Sequence, residues 1–196
     1  MEREKSSFQI LVLGDFGVGK KTLVDKFVEV GCRGKFVADS DGSKSVSLII
    51  NGRKCEVNIV IPKGMDRNHS VSSNYFRYCD GILIVFDVTD TQSLGSVEDW
   101  MEDVKTFSSV CVKCLIVGNK TDLKDKRVVT PERGKKVARS RGRDYMEVSS
   151  LTGEHVKEAF HHLLIDIVNG DRREKTTGTV SPSDEGEEKN CCYLGW

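Results

Sequence analysis

The run Gly14-Asp15-Phe16-Gly17-Val18-Gly19-Lys20-Lys21 follows the phosphate-binding pattern Gly-x4-Gly-Lys-Ser/Thr up to its last position. In that pattern, backbone N–H groups surround the α- and β-phosphates of a nucleotide, and the lysine reaches the β- and γ-phosphates. The serine or threonine hydroxyl ligates the Mg²⁺ that bridges the β- and γ-oxygens. Lys21 stands at the hydroxyl position, and an ammonium group has no lone pair to offer a metal. The run therefore predicts a site that holds a nucleotide but is poorly equipped to hydrolyse it.

The flanking residues supply the context that this loop needs. Residues 7–13 form a short apolar run typical of a strand, and residues 21–28 carry apolar side chains at helical spacing. A loop between a strand and a helix places its anion at the positive end of the helix dipole. The alternative is a glycine turn in an α/β domain that binds no nucleotide.

The rest of the chain alternates strand and helix patterns. Asn51-Gly52 lies between two apolar runs and predicts a hairpin, while Thr130 and Pro131 predict the start of a helix. The predicted strands are 7–13, 45–50, 54–61, 81–87, 114–118 and 144–148; the predicted helices are 21–28, 93–110, one from 131 and 153–168; residues 62–74 are predicted to be a loop. This alternation predicts a doubly wound α/β fold with a six-stranded, mostly parallel sheet and one antiparallel strand.

Composition excludes several classes of function. The formal net charge of the 196 residues is +0, which favours neither nucleic acid nor an acidic membrane as a partner. No apolar run approaches the roughly 20 residues that span a bilayer, and the charged residues 1–5 are unlike a signal peptide. We expect a cytosolic chain with its seven cysteines reduced. His161 and His162 are interpreted as surface or boundary residues, with nothing at ligand spacing beside them.

A second motif, Asn119-Lys120-Thr121-Asp122, directly follows the apolar run 114–118. Loops after parallel strands lie over the ligand crevice of such sheets. The Asp122 carboxylate can accept two hydrogen bonds from the N1–H and the exocyclic amine of guanine, a pair of donors that adenine does not offer. Charge-assisted bonds of this kind contribute about 1.5–3 kcal/mol each. Beside a phosphate loop, the motif predicts a guanine nucleotide.

Together these motifs resemble the Ras superfamily of small GTPases, and most closely its Rab branch, from about residue 7 to residue 168. Residues 14–20 resemble the Rab phosphate loop, and residues 80–90 resemble the Rab central strand. Residues 147–150 are similar to the last guanine-contacting segment, but Ser150 and Leu151 stand where Rabs carry Ala and a base-shielding Lys. The resemblance implies a P-loop small G domain over residues 1–169, GTP or GDP as ligand, and effector or regulatory proteins as partners at the switch surface.

The departures from the Rab pattern lie at the positions where the family binds the metal and the γ-phosphate. Ile61 replaces the Asp that holds the Mg²⁺ shell, and Met65 replaces the Gln that orients the attacking water, whereas Gly64 is kept and its N–H can meet a γ-phosphate. Phe16 replaces a Rab Ser, and residues 38–42 lack the Thr of switch I. With the altered phosphate loop, these changes predict that no catalytic residue is intact, that Mg²⁺ binds weakly or not at all, and that hydrolysis is very slow or absent.

Three functions remain open on these residues. The first is a Rab-like module of membrane trafficking or signalling that binds nucleotide with impaired hydrolysis; the second is a slow GTPase switch with Mg²⁺ held through water; the third is a nucleotide-free scaffold. A nucleoside or shikimate-type kinase shares the phosphate loop, but the Asn-Lys-x-Asp segment and the lack of an Arg-rich lid in the sequence count against it. The residues predicted to contact nucleotide are Gly14, Asp15, Phe16, Gly17, Val18, Gly19, Lys20, Lys21, Thr22, Gly64, Asn119, Lys120, Asp122, Ser149, Ser150 and Leu151.

Residues 170–196 form a polar tail that is predicted to be disordered. Its Cys191 and Cys192 resemble the Rab geranylgeranylation site, although four residues follow them. Residues 171–190 hold four Lys/Arg against six Asp/Glu, so no polybasic patch supports a single lipid, and two lipids give stable anchoring. Palmitoylation and an unmodified tail are the alternatives. We expect the protein on the cytoplasmic face of a membrane, lipid-anchored, with a cytosolic pool.

Overall fold

The computed structural model describes residues 6–31, 36–38, 43–62, 72–109 and 111–177. Seven strands and five α-helices alternate along these residues. The strands are β1 (Ser6–Leu13), β2 (Phe36–Ala38), β3 (Lys44–Ile50), β4 (Arg53–Val60), β5 (Gly81–Asp87), β6 (Lys113–Asn119) and β7 (Asp144–Glu147). The helices are α1 (Lys20–Gly31), α2 (Ser73–Arg77), α3 (Thr91–Phe107), α4 (Pro131–Ser140) and α5 (Val156–Thr177), with a short 3₁₀ turn at Lys124–Lys126.

The strands form one sheet in the order β2-β3-β4-β1-β5-β6-β7. β3 pairs antiparallel with both β2 and β4, and the other pairs are parallel, so β3 is the one antiparallel strand among those described. This arrangement confirms the predicted fold class, and all six predicted strands are present. β2 adds a seventh, which sequence did not indicate because three residues are too few to show a period of two.

The predicted hairpin lies between β3 and β4. Asn51 and Gly52 have φ angles of 50° and 75°, the left-handed pair that a two-residue type I′ turn requires. The turn fixes the register in which Ile50 faces Arg53 and Val46 faces Val57. Val46 and Val57 are both buried, so the register directs the apolar side chains of both strands into the core.

Helices cover both faces of the sheet, as a doubly wound fold requires. On one face, α1 and α5 pack together, with the rings of Phe27 and Phe160 stacked at 4.0 Å between centroids. On the other face lie α2, α3 and α4. β1 serves both cores because its side chains alternate: Ile10 and Val12 join the first, whereas Leu11 and Leu13 join the second.

The ends of the helices follow the predictions in part. Thr130 caps α4, since its side-chain oxygen accepts a hydrogen bond from Arg133 N at 3.3 Å. α2 begins inside the stretch predicted to be a loop, and its single turn is too short to show helical spacing. α5 continues to Thr177, past the predicted end at residue 168, because the Arg, Glu and Lys residues at 172–175 favour helix.

Residues 178–196 lie outside the described residues, and so do Cys191, Cys192 and the predicted disorder of that part of the tail. Within the described residues, no helix combines the length and the apolar character needed to cross a membrane.

Candidate nucleotide-binding site

The predicted site residues converge at the carboxyl edge of the parallel strands. After β1 the chain builds β2, β3 and β4 on one side of β1, and then crosses to build β5, β6 and β7 on the other. The crevice beside β1 is therefore the point at which the strand order reverses, where open α/β sheets bind ligands. The loops that follow β1, β6 and β7 meet there through the side chain of Asn119.

The phosphate loop, residues 14–19, depends on its glycines for both conformation and space. Gly14, Gly17 and Gly19 have φ angles of 133°, 82° and 95°, which L side chains rarely adopt. A Cβ on Gly14 would lie 2.1 Å from Val85 O, and one on Gly19 would lie 2.5 Å from the Nδ2 atom of Asn119. The loop thus packs tightly against β5 and the Asn119 side chain, which leaves no space for a side chain at Gly14 or Gly19.

Lys20 folds back over this loop. Its Nζ donates hydrogen bonds to the carbonyl oxygens of Gly14 and Asp15, each at 2.6 Å. Desolvation lowers the pKa of Lys20 to about 8, although the nearby Asp15 carboxylate acts in the opposite direction. A half-buried cation that has no ion pair with any described residue is well placed to receive an anion, because a phosphate would offset the cost of its burial.

Asn119 joins the phosphate loop to the segment after β7. Its side chain is fully buried, and its Nδ2 donates to Val18 O at 2.8 Å and to Ser150 Oγ at 3.0 Å. Its Oδ1 accepts from Ser150 N at 2.9 Å. One amide therefore holds the loop after β1 and the segment after β7 in a fixed relation.

Lys120 crosses from the base side towards the phosphate loop. Its Nζ donates to Gly17 O at 2.8 Å and pairs with Asp87 Oδ2 at 2.7 Å. Burial opposes ionisation of Asp87, but hydrogen bonds from Lys120 and Thr89 outweigh it, so the pKa of this carboxyl lies below its ordinary value. Sequence reasoning missed Asp87 as a site residue; the available signal was a carboxylate at the end of an otherwise apolar strand.

Asp122, which was predicted to bind the guanine base, is held by a hydrogen bond. Ser149 Oγ donates to Asp122 Oδ1 at 2.5 Å, and Thr152 N donates to Ser149 Oγ at 3.1 Å. These bonds fix the direction of the carboxylate, and a fixed direction is what recognition of one pair of donors would need. Asp122 and Ser149, which were predicted separately as nucleotide-contacting residues, are therefore neighbours in the structure.

Other predicted residues lie at the rim. Phe16 and Leu151 are 82% and 69% exposed, so neither ring nor alkyl chain is part of the core. Lys21 and Thr22 are exposed on the first turn of α1. Leu151 presents an apolar surface at the position where a Rab lysine would shield the base.

The metal side of the site is only partly described. Ile61, directly after β4, is half-buried and packs against the core beneath α1 and α5. Gly64, Met65 and residues 39–42 lie outside the described residues. Among the described residues at the two metal positions, Lys21 offers a cation and Ile61 offers a hydrocarbon. Neither side chain fits Mg²⁺, which takes oxygen ligands.

Sequence reasoning also missed a contact between the phosphate loop and α3. Asp15 was predicted to take part in the phosphate cradle through the loop backbone, but its carboxylate turns towards α3. Ser96 Oγ donates to Asp15 Oδ2 at 2.6 Å, and Trp100 Nε1 donates to Asp15 Oδ1 at 3.1 Å. No local pattern in the sequence links residues 81 and 85 positions apart.

The interpretation of His162 as lacking nearby ligand groups was wrong. His162 Nε2 lies 2.9 Å from Asp144 Oδ2 and 3.8 Å from Asp166 Oδ2. Asp144 begins β7 and Asp166 lies one helical turn beyond His162, so the fold brings them together. All three are solvent-accessible, and the arrangement is accounted for by a polar tie between β7 and α5.

Comparison with known proteins agrees with this geometry. The Ras family model matches residues 9–169. Ras-related protein Rab-13 of Mesocricetus auratus is 30% identical, with 96% of each chain covered. Ras-related protein RABA5e of Arabidopsis thaliana is 34% identical over 88% of this chain and 80% of its own. Ras-related protein Rab-8B of Homo sapiens is 33% identical over 82% of this chain and 78% of its own.

Proposed function

Because this chain belongs to the Ras family of small GTPases, within its Rab branch, we propose that it binds guanine nucleotide without an organised Mg²⁺ and hydrolyses GTP very slowly or not at all. In this proposal it is a membrane-tethered binding module of trafficking or signalling. The observation that carries the proposal is the pair of side chains at the metal positions, the exposed ammonium of Lys21 and the half-buried alkyl chain of Ile61.

The nucleotide fits the described residues. The phosphate loop is built on glycines with positive φ angles that L side chains rarely adopt, and Lys20 lies over it without a carboxylate partner within ion-pair distance among the described residues. On the base side, Asn119 and Asp122 are fixed by hydrogen bonds to Ser150 and Ser149. Together these contacts favour binding over the nucleotide-free scaffold, because a scaffold has no need of an oriented carboxylate.

Mg²⁺ does not fit. In related GTPases the ion bridges the β- and γ-phosphates and neutralises charge that develops between them. Lys21 repels a cation, and the half-buried Ile61 packs its alkyl chain against the core and has no oxygen to offer. In our proposal the Lys21 ammonium, on the first turn of α1, supplies part of the positive charge near the β-phosphate that the ion supplies elsewhere.

Impaired hydrolysis follows from the loss of the oxygen ligands for Mg²⁺. Phosphoryl transfer depends almost wholly on positioning and charge stabilisation, and loss of one preorganised group commonly costs about 10²–10³ in rate. Here the metal positions and the water-orienting position, Met65, are altered together. A nucleotide would therefore remain bound as GTP, and effector or regulatory proteins would recognise one long-lived state.

A lipid anchor would deliver this module to its membrane. We propose that Cys191 and Cys192 are both lipidated, since the acidic balance of residues 171–190 gives a single lipid no electrostatic support. The sites of action are then the cytoplasmic face of a membrane and a cytosolic pool.

Single-turnover hydrolysis of GTP tests the proposal. The unaltered protein should retain GTP over hours at ambient temperature, and freshly purified protein should carry guanine nucleotide. The triple substitution Lys21→Ser, Ile61→Asp, Met65→Gln should accelerate hydrolysis by about 10² or more. It restores three groups, and loss of one such preorganised group commonly lowers the rate by at least this factor. Mg²⁺-dependent turnover by the unaltered protein would favour the slow-switch alternative, and purification without any nucleotide would favour the scaffold.

A further inference from the structure

The side chain of Asp15 lies in the phosphate loop but does not face the phosphate cradle. Its two carboxylate oxygens accept hydrogen bonds from two different residues of α3, Ser96 and Trp100. α3 packs on the face of the sheet opposite α1, whose first turn adjoins the cradle. The negative charge is therefore drawn towards the far face of the sheet, away from the site that receives an anion.

The hydrogen bonds from Ser96 and Trp100 to Asp15 are favourable because of the chemistry of the three side chains. Trp100 is 3% exposed, and its indole N–H is a donor that needs an acceptor once it is buried. The Ser96 hydroxyl lies 2.6 Å from the other carboxylate oxygen, within the range of a charge-assisted bond. A carboxylate is acceptor-only and satisfies both donors at once.

If it lost its hydrogen bonds to α3, the Asp15 carboxylate would oppose phosphate binding. Asp15 is the second residue of the loop, and its backbone carbonyl already accepts from the Lys20 ammonium. A free carboxylate at this place would compete with phosphate for Lys20 and would repel phosphate by like charge. Loss of the α3 donors should therefore weaken nucleotide binding through charge, beyond any loss of packing.

We propose that Ser96 and Trp100 are positioning residues for nucleotide binding, which hold the Asp15 carboxylate out of the phosphate site; the proposal rests on the nucleotide binding proposed above. α3 then becomes part of the phosphate-binding machinery although it touches no phosphate. The role is specific to an acidic residue at position 15, because a neutral side chain there would need no such restraint.

A double-mutant cycle on GDP affinity tests this role. The paired substitution Ser96→Ala with Trp100→Phe removes both donors and keeps the aromatic ring. We expect it to raise the Kd for GDP about tenfold or more when Asp15 is present. In an Asp15→Asn background the same pair should raise the Kd less than about threefold, because no charge is released.

Two controls separate positioning from folding. Ser140→Ala removes a helix serine on α4 whose hydroxyl, like that of Ser96, lies within hydrogen-bond distance of a backbone carbonyl of its own helix; it should leave the Kd unchanged. Thermal unfolding of each nucleotide-free protein reports any general loss of stability, which would act equally in both Asp15 backgrounds.

The outcomes are distinct. An equal loss of GDP affinity in the two backgrounds, or no loss in either, would overturn the positioning role while leaving nucleotide binding in place. An unaltered protein that binds no GDP would instead contradict the proposed function, and the positioning role with it.

Discussion

At the scale of single residues, the ammonium of Lys20 is the group on which a bound phosphate would act. It is half-buried against the backbone carbonyl oxygens of Gly14 and Asp15, and desolvation lowers its pKa from 10.5 to about 8. The unfolded chain keeps the ordinary value, so between about pH 8 and 10.5 it holds a proton that the folded protein has released. From this group alone, the stability of the ligand-free protein falls as the pH decreases through that window and rises as the pH increases through it.

A bound phosphate reverses this shift, which gives a prediction. Because an anion favours the charged form of lysine, GDP binding should take up a proton near pH 8 to 9, and GDP affinity should fall as the pH rises above about 8. Calorimetry in buffers of different ionisation enthalpy at about pH 8.5 measures the uptake.

Lys20→Arg is the matched control, because a guanidinium stays charged throughout this range. It should abolish the part of the uptake that comes from Lys20, and any titration of the guanine itself will remain in both proteins. Equal proton uptake by the two proteins would contradict the role assigned to Lys20.

At the scale of elements, three loops form the site and one buried amide joins them. Asn119 ends β6 and bonds to Val18 in the loop after β1 and to Ser150 after β7. Because the amide is fully buried, a partner that loses its bond to Asn119 is left unsatisfied, which costs about 1–3 kcal/mol.

Asn119→Ala should therefore lower the free energy of unfolding by about 1–3 kcal/mol and accelerate GDP release. Urea denaturation and release of a fluorescent GDP analogue measure the two effects. Ser150→Ala removes only one of the three bonds and should give a smaller effect on both. If the Asn119→Ala protein unfolds at the same urea concentration as the unaltered protein and releases GDP at the same rate, the loops do not depend on this amide.

The elements that could be predicted from sequence are those with a strong local pattern. The strand predicted at 81–87 has the observed bounds because its seven consecutive residues suit a strand buried on both faces, and Asn51-Gly52 fixes a hairpin through its positive φ angles. β2 and α2 were missed because three and five residues are too short for a period. The contact of Asp15 with Trp100 arises only when the folded sheet brings α3 beside the loop.

At the scale of the whole molecule, the proposed lipidation of the tail would determine where the protein acts. The double substitution Cys191→Ser, Cys192→Ser should move a fluorescently tagged protein from membranes to the cytosol, because no basic patch in residues 171–190 can retain it. Each single substitution should leave a weaker and reversible association, since one lipid chain binds membranes only marginally. Unchanged membrane localisation of the doubly substituted protein would exclude these cysteines as the anchor.

The release of GDP with and without a chelator tests the central claim, that this protein holds guanine nucleotide without an organised Mg²⁺. Lys21 and Ile61 occupy the metal positions, so EDTA should change the release rate of the unaltered protein by less than about threefold. Lys21→Ser with Ile61→Asp should restore a marked acceleration by EDTA, because it returns a hydroxyl and a carboxylate to those positions. An acceleration of about tenfold or more in the unaltered protein would contradict the claim and show that Mg²⁺ is bound there after all.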